Sequence, residues 1–180
     1  MIWEGLGNLL YGVDYTREWV DRPSHRLEFD FDRFALCGVS LGDPVDCLRD
    51  VGLGRAEDRR QAGQWALYYY SKGIFVEADE FSILEYSLIW RDSGGKRFQP
   101  FAGLCSFCGK ELSLADSTSP ADIVEAFGEP NEREEADDRV LAFIYRYREK
   151  HGDTVMEVDF GEEERLHEIS VVLEGTDSGD

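Results

Sequence analysis

The two halves of this chain repeat one order of signals, and a repeated order at this spacing restricts the folds open to it. Asp43, Pro44, Val45, Asp46, Cys47, Leu48 and Arg49 lead to Gly52 and Gly54; Ser119, Pro120, Ala121, Asp122, Ile123, Val124 and Glu125 lead to Gly128. Each stretch predicts a small helix. Asp43 and Ser119 can accept hydrogen bonds from first-turn amides, proline suits the first helical position, and Asp46 and Asp122 complement the helix dipole. Glycine supplies the left-handed stop. Val45, Leu48 and Val51 give the first helix an apolar face, as Ile123, Val124 and Phe127 give the second.

Behind each helix the pattern changes from helical to alternating. Residues 55–64 and 129–138 read as polar turns, the second acidic enough to lie in water. Strands follow: Trp65, Leu67 and Tyr69 in the first half, and Leu141, Phe143, Tyr145 and Tyr147 in the second. Ser71-Lys72-Gly73 and Lys150-His151-Gly152-Asp153 then turn the chain into Ile74, Phe75 and Val76, and into Val155, Met156, Val158 and Phe160. Third strands carry Leu84, Tyr86, Leu88 and Trp90, and Ile169, Val171 and Leu173. Leu27, Phe29 and Phe31 predict a further strand before the first helix, with Leu112 and Leu114 as its counterpart.

The expected fold class is therefore α+β, as two diverged repeats of short helices packed on an antiparallel sheet. The expected organisation is an N-terminal extension (1–26), a first repeat (27–92), a connector with a Cys-x-x-Cys pair (93–110), a second repeat (111–174) and a frayed tail (175–180).

The helix openings at Pro44 and Pro120, the stops at Gly54 and Gly128, Pro130 after the second stop, and the aromatic strands behind them resemble the β-lactamase-inhibitor-protein-like fold. Its repeat is shared by the small SmpA/OmlA outer-membrane lipoproteins, and the likeness covers about residues 40–90 and 117–173. The resemblance implies tandem helix-plus-four-strand modules whose sheets form a concave face that grips another protein. It implies a binder or scaffold rather than an enzyme.

Composition narrows the partners. With 42% hydrophobic residues and 13% aromatic ones over 180 positions, the chain can bury a core unaided. A formal net charge of −19 repels phosphate backbones and anionic lipid, so neither nucleic acid nor membrane is an expected partner. A basic protein is favoured by the same field, although a solvated acidic surface accounts for the charge as well. The opening stretch MIWEGLGNLL carries Glu4 and no Lys or Arg, unlike a signal peptide, which gives the expectation of a cytoplasmic protein with reduced cysteines.

Two motifs suggest chemistry. Cys105-Ser106-Phe107-Cys108-Gly109-Lys110 resembles one knuckle of a zinc ribbon, with Cys37, Cys47 or His25 needed to complete four ligands. Gly38-Val39-Ser40-Leu41-Gly42 matches G-x-S-x-G, but Asp43-Pro44 starts the helix several residues late for a nucleophile elbow, and His151 and His167 are the only downstream bases. A lone His167 on a strand is usually structural, and neither 132–138 nor 162–164 has calcium-loop spacing. No cofactor, metal or catalytic residue is expected, with Cys105 and Cys108 as the alternative metal ligands and Ser40 as the alternative nucleophile.

The remaining candidates are aromatic. Trp65, Tyr68, Tyr69, Tyr70, Tyr86, Trp90, Tyr145 and Tyr147 exceed what one face of two small sheets needs, and such rings anchor protein interfaces, with Tyr68, Tyr70, Tyr86, Trp90, Tyr145 and Tyr147 as the candidate binding residues. Alternation sets Tyr68 and Tyr70 opposite Trp65, Leu67 and Tyr69, either displayed to a partner or buried between the repeats. The expected function is a non-catalytic protein-binding module with an acidic rim. Its sharper form is an inhibitor or immunity-type protein for a basic target.

Overall fold

The computed structural model describes residues 15–22, 26–61, 64–80, 82–91, 98–137, 139–149, 152–161 and 163–174. The opening stretch MIWEGLGNLL, His25, the Ser93–Lys96 part of the connector, Lys150, His151 and the tail lie outside them.

Alternating apolar positions build one large antiparallel sheet. Its strands are β4 (Glu57–Gln61), β5 (Gln64–Tyr69), β6 (Ile74–Ala78), β7 (Ile83–Ile89), β10 (Glu132–Ala136), β11 (Arg139–Glu149), β12 (Gly152–Phe160) and β13 (Leu166–Glu174). They lie in the order β10-β11-β12-β13-β7-β6-β5-β4. Two four-stranded meanders therefore meet where β7 pairs with β13, and a helix precedes each in the chain. Register carries the inner face across the seam: Leu67, Val76, Tyr86, Val171, Met156 and Tyr145 form one continuous row, all buried.

A second sheet covers that face. It is five-stranded and combines β1 (Glu28–Asp30), β2 (Ala35–Leu36), β3 (Val39–Ser40), β8 (Leu104–Phe107) and β9 (Lys110–Leu112), with β1 and β8 parallel. Phe29 meets Tyr86 edge-on at 5.7 Å, and the Tyr86 hydroxyl donates to the Val39 carbonyl at 3.0 Å, so the two sheets share one core. Trp19, from the N-terminal segment, is buried in the same core, and Tyr15 stacks against Trp65 with ring centroids 4.8 Å apart.

The α+β expectation of helical repeats packed on a sheet is overturned. Among the described residues 49% are in strands and 11% are helical, and the fold is mainly β, with two sheets. The two helices are α1 (Cys47–Asp50) and α2 (Pro120–Phe127). The reason for the first is visible in its hydrogen bonds: Cys47, Leu48 and Arg49 donate three residues back, to Pro44, Val45 and Asp46, in tight turns that end after one helical turn. Asp43 does not cap it, because its Oδ2 accepts from the Ser40 amide at 2.8 Å. Ser119 does cap α2, in a reciprocal box with Asp122, and Gly128 ends it at φ 84. Phe127 then docks α2 onto Phe31, Phe107 and Tyr145.

The segments 55–64 and 129–138, expected as polar turns, contain the edge strands β4 and β10. Edge strands gain from charge, which blocks pairing with another chain, so they lack the apolar alternation that marks a central strand. Connector residues 104–107 form β8, whose parallel partner β1 lies far back in the sequence.

Candidate functional site

The face of the large sheet that the second sheet does not cover is set by the same register. One row crosses all eight strands: Glu57, Tyr68, Phe75, Ser87, Ser170, Glu157, Ile144 and Glu132. Beside it run Ala66, Glu77, Glu85, Val172 and Val155 on one side, and Glu168, Asp159, Ala142 and Glu134 on the other. Most of these side chains are half-buried, whereas the inner rows have almost no contact with water.

The row divides chemically. Toward β5 and β6 it is aromatic: Tyr68 and Tyr70 stack at 5.6 Å and 14°, Phe75 lies 5.1 Å from Tyr68, and Phe98 lies 4.6 Å from Tyr70. Arg59 already holds its guanidinium 5.3 Å from the centre of the Tyr68 ring, the geometry of a cation over an aromatic face. Toward β7, β13 and β12 the face is acidic, with Glu85, Glu157, Asp159 and Glu168, and Glu77 on β6 beside Glu85. Among the described residues no Lys or Arg forms an ion pair with any of these five; Arg59 binds Glu57, and Arg146 binds Glu132 and Glu174.

Burial, with like charge crowded beside it, raises the proton affinity of Glu85, Glu157 and Asp159. Burial, reinforced by Glu157, Glu168 and Glu134, pushes the Asp159 carboxyl up to about 7. Burial also raises Glu85, against the hydrogen bond from Ser87, and Glu77, Glu168 and Glu157 add to the rise. Glu157 is raised by burial, then by Glu134 and Glu168.

Of the six aromatic candidates, the structure brings Tyr68 and Tyr70 together on this face. It puts the other four on the covered side. Tyr86 is fully buried, Trp90 packs on Phe101 at 5.7 Å, Tyr145 is buried with its hydroxyl donating to the Gly128 carbonyl, and half-buried Tyr147 meets Phe34 at 5.0 Å. Even residues of β7 and odd residues of β11 point inward, so these rings serve the core. Sequence reasoning missed Phe75, Phe98 and the carboxylates. A signal was present: Glu85-Tyr86-Ser87 and Glu168-Ile169-Ser170 repeat Glu-x-Ser on the two strands that meet at the seam.

The chemical motifs do not assemble. Cys105 is buried on β8, where burial pushes its thiol up to about 12 and disfavours the thiolate a metal needs. Cys108 is exposed on the β8–β9 turn at φ 51, and no group of three metal-ligating side chains occurs among the described residues. Ser40 lies in β3, not at the head of a helix, beside a groove lined by Asp32, Arg33, Phe34, Asp43 and Thr154 with no histidine among its described lining. His167 is half-buried against Gly161. No helix among the described residues is long and apolar enough to cross a membrane. No family model matches this chain, and neither the curated proteins nor the solved structures yield a match to it.

Proposed function

We propose that the chain is a non-catalytic binding module that docks a basic segment of another protein on the open face of its eight-stranded sheet. The observation that carries this reading is the juxtaposition on one face of a stacked aromatic shelf and a band of carboxylates that no Lys or Arg among the described residues pairs with. A partner's guanidinium or ammonium groups would relieve the carboxylates, while its aliphatic stems and rings cover Tyr68, Tyr70 and Phe75. A net charge of −19 steers such a partner in. The resemblance to the β-lactamase-inhibitor-protein-like fold supports gripping by a sheet face, and an inhibitor of a basic target is the sharper form of the same reading.

The shelf and the band act as one surface, so each is required. Fluorescence anisotropy with a labelled Arg/Lys-rich peptide containing one tyrosine tests this. Replacing Tyr68 and Phe75 by Ala should weaken binding by about 1–3 kcal/mol, the usual worth of aromatic anchors. Glu157→Gln with Glu168→Gln should weaken binding and flatten its salt dependence. Glu125→Gln, on the exposed surface of α2, should change little. Equal loss from the α2 control and the open-face variants would overturn the reading, because attraction would then reflect net charge alone.

A further inference from the structure

At the seam between the meanders the carboxylates are tied together through two serines. Ser87 and Ser170 are direct cross-strand partners on β7 and β13. Ser87 Oγ donates to Glu85 Oε1 at 2.8 Å, Ser170 Oγ donates to Glu168 Oε1 at 3.2 Å, and the two hydroxyl oxygens lie 3.0 Å apart. Three successive oxygen–oxygen contacts need three protons, and two hydroxyls carry only two. With both carboxyls ionised, each serine spends its proton on its own strand's glutamate. The middle contact is then lone pair against lone pair. One further proton, placed on Glu85, turns the row into an unbroken chain in which Glu85 donates to Ser87, Ser87 to Ser170 and Ser170 to Glu168. Ser87 is 1% exposed, so water is poorly placed to substitute for that proton.

We infer that the free protein keeps this proton at the seam, and that a basic partner docking on the open face expels it to solvent. The inference rests on the docking reading above. The charges that decide it face the seam from every neighbouring strand. Glu77 lies on β6, Glu157 and Asp159 on β12, and Glu132 and Glu134 on β10. Among the described residues the nearby cations are committed: Arg59 on β4 to Glu57, Arg146 on β11 to Glu132 and Glu174, and Arg91, beyond the end of β7, 4.0 Å from Glu163. Acidic neighbours make the added proton favourable in the free protein. Cationic groups arriving over Glu85, Glu168 and Asp159 reverse that preference, so the proton leaves as the partner binds. The raised carboxyls of Glu85 and Asp159 agree with this direction.

The test uses the intact chain and an oligo-arginine peptide as probe. Calorimetric titration of wild type and Asp159→Asn at about pH 6 in buffers of different ionisation enthalpy should give apparent binding enthalpies that differ between buffers, with a proton release that persists when the Asp159 carboxyl is removed. Carbon-13 titration of the free protein's carboxyls should show Glu85 taking up its proton above the ordinary carboxylate range, and Ser170→Ala should lower that midpoint by breaking the chain. A peptide that binds with an enthalpy indifferent to buffer overturns the coupling and leaves the docking reading standing. If the peptide fails to bind, the docking reading and the coupling fall together. A Glu85 carboxyl that titrates in the ordinary range in the free protein overturns the held proton whatever the peptide does.

Discussion

Asp159→Asn removes a carboxyl whose ionised form is disfavoured by burial and then by its acidic neighbours, and it should stabilise the protein in a pH-dependent way. In the fold Asp159 is pushed up to about 7, while an aspartate in an unfolded chain sits at about 3.9. Between those values the native chain holds a proton that the unfolded chain has released. The wild type therefore loses stability as pH rises through this window; the contribution is fully present below about pH 4 and gone above about pH 7. Three units correspond to about 4 kcal/mol if nothing screened the site. Asp159 is only half-buried, and solvent screening reduces this to about 1–2 kcal/mol. Asparagine keeps the shape and cannot ionise, so urea unfolding should show the variant more stable than wild type by about 1–2 kcal/mol near pH 8, with the gap closing near pH 4. A variant less stable than wild type near pH 8, or a gap that does not change with pH, would refute the electrostatic account of this face.

Further expectations concern the scaffold. Tyr86→Phe deletes the buried hydrogen bond to the Val39 carbonyl that links the two sheets and should lower stability by about 1–2 kcal/mol, read from the urea midpoint. Ser119→Ala removes the hydroxyl half of the α2 capping box, leaving the residue 119 amide on Asp122, and should cost about 1 kcal/mol by the same assay. Gly73→Ala should be far more damaging than Gly109→Ala. Both residues have positive φ, but a Cβ at Gly73 collides with the backbone of Phe101 and Gln99, whereas at Gly109 it meets nothing, so thermal melting should separate the two clearly. Chelation should leave the melting temperature unchanged, because Cys105 and Cys108 sit in a β-hairpin closed by backbone pairing.

What could be seen in the sequence follows physical lines. Helix α2 was legible because Ser119, Pro120, Asp122 and Gly128 each act locally, within one turn of the residue they serve. The same signals around Pro44 misled: Asp43 found a nearer donor in Ser40, and only one turn formed. Central strands showed through their alternating rings, while β4 and β10 were hidden by the charges that protect a sheet edge. The second sheet was out of reach, since β2 and β3 span two residues each and β1 pairs with β8 across the whole first meander. At the candidate site, alternation separated Tyr68 and Tyr70 from the core. It could not show that Glu85, Glu157, Asp159 and Glu168 converge, because each alone reads as an ordinary solvent-facing strand residue, and their convergence depends on the β7–β13 pairing.

Amide chemical-shift mapping with an Arg/Lys-rich peptide tests most directly where a partner lands. Shifts concentrated on β5, β6, β7, β12 and β13 around Tyr68, Phe75, Ser87, Glu157 and Ser170 are the predicted result. Shifts confined to α2, the small sheet or the charged edge strands would contradict the claim that the open face is the binding surface.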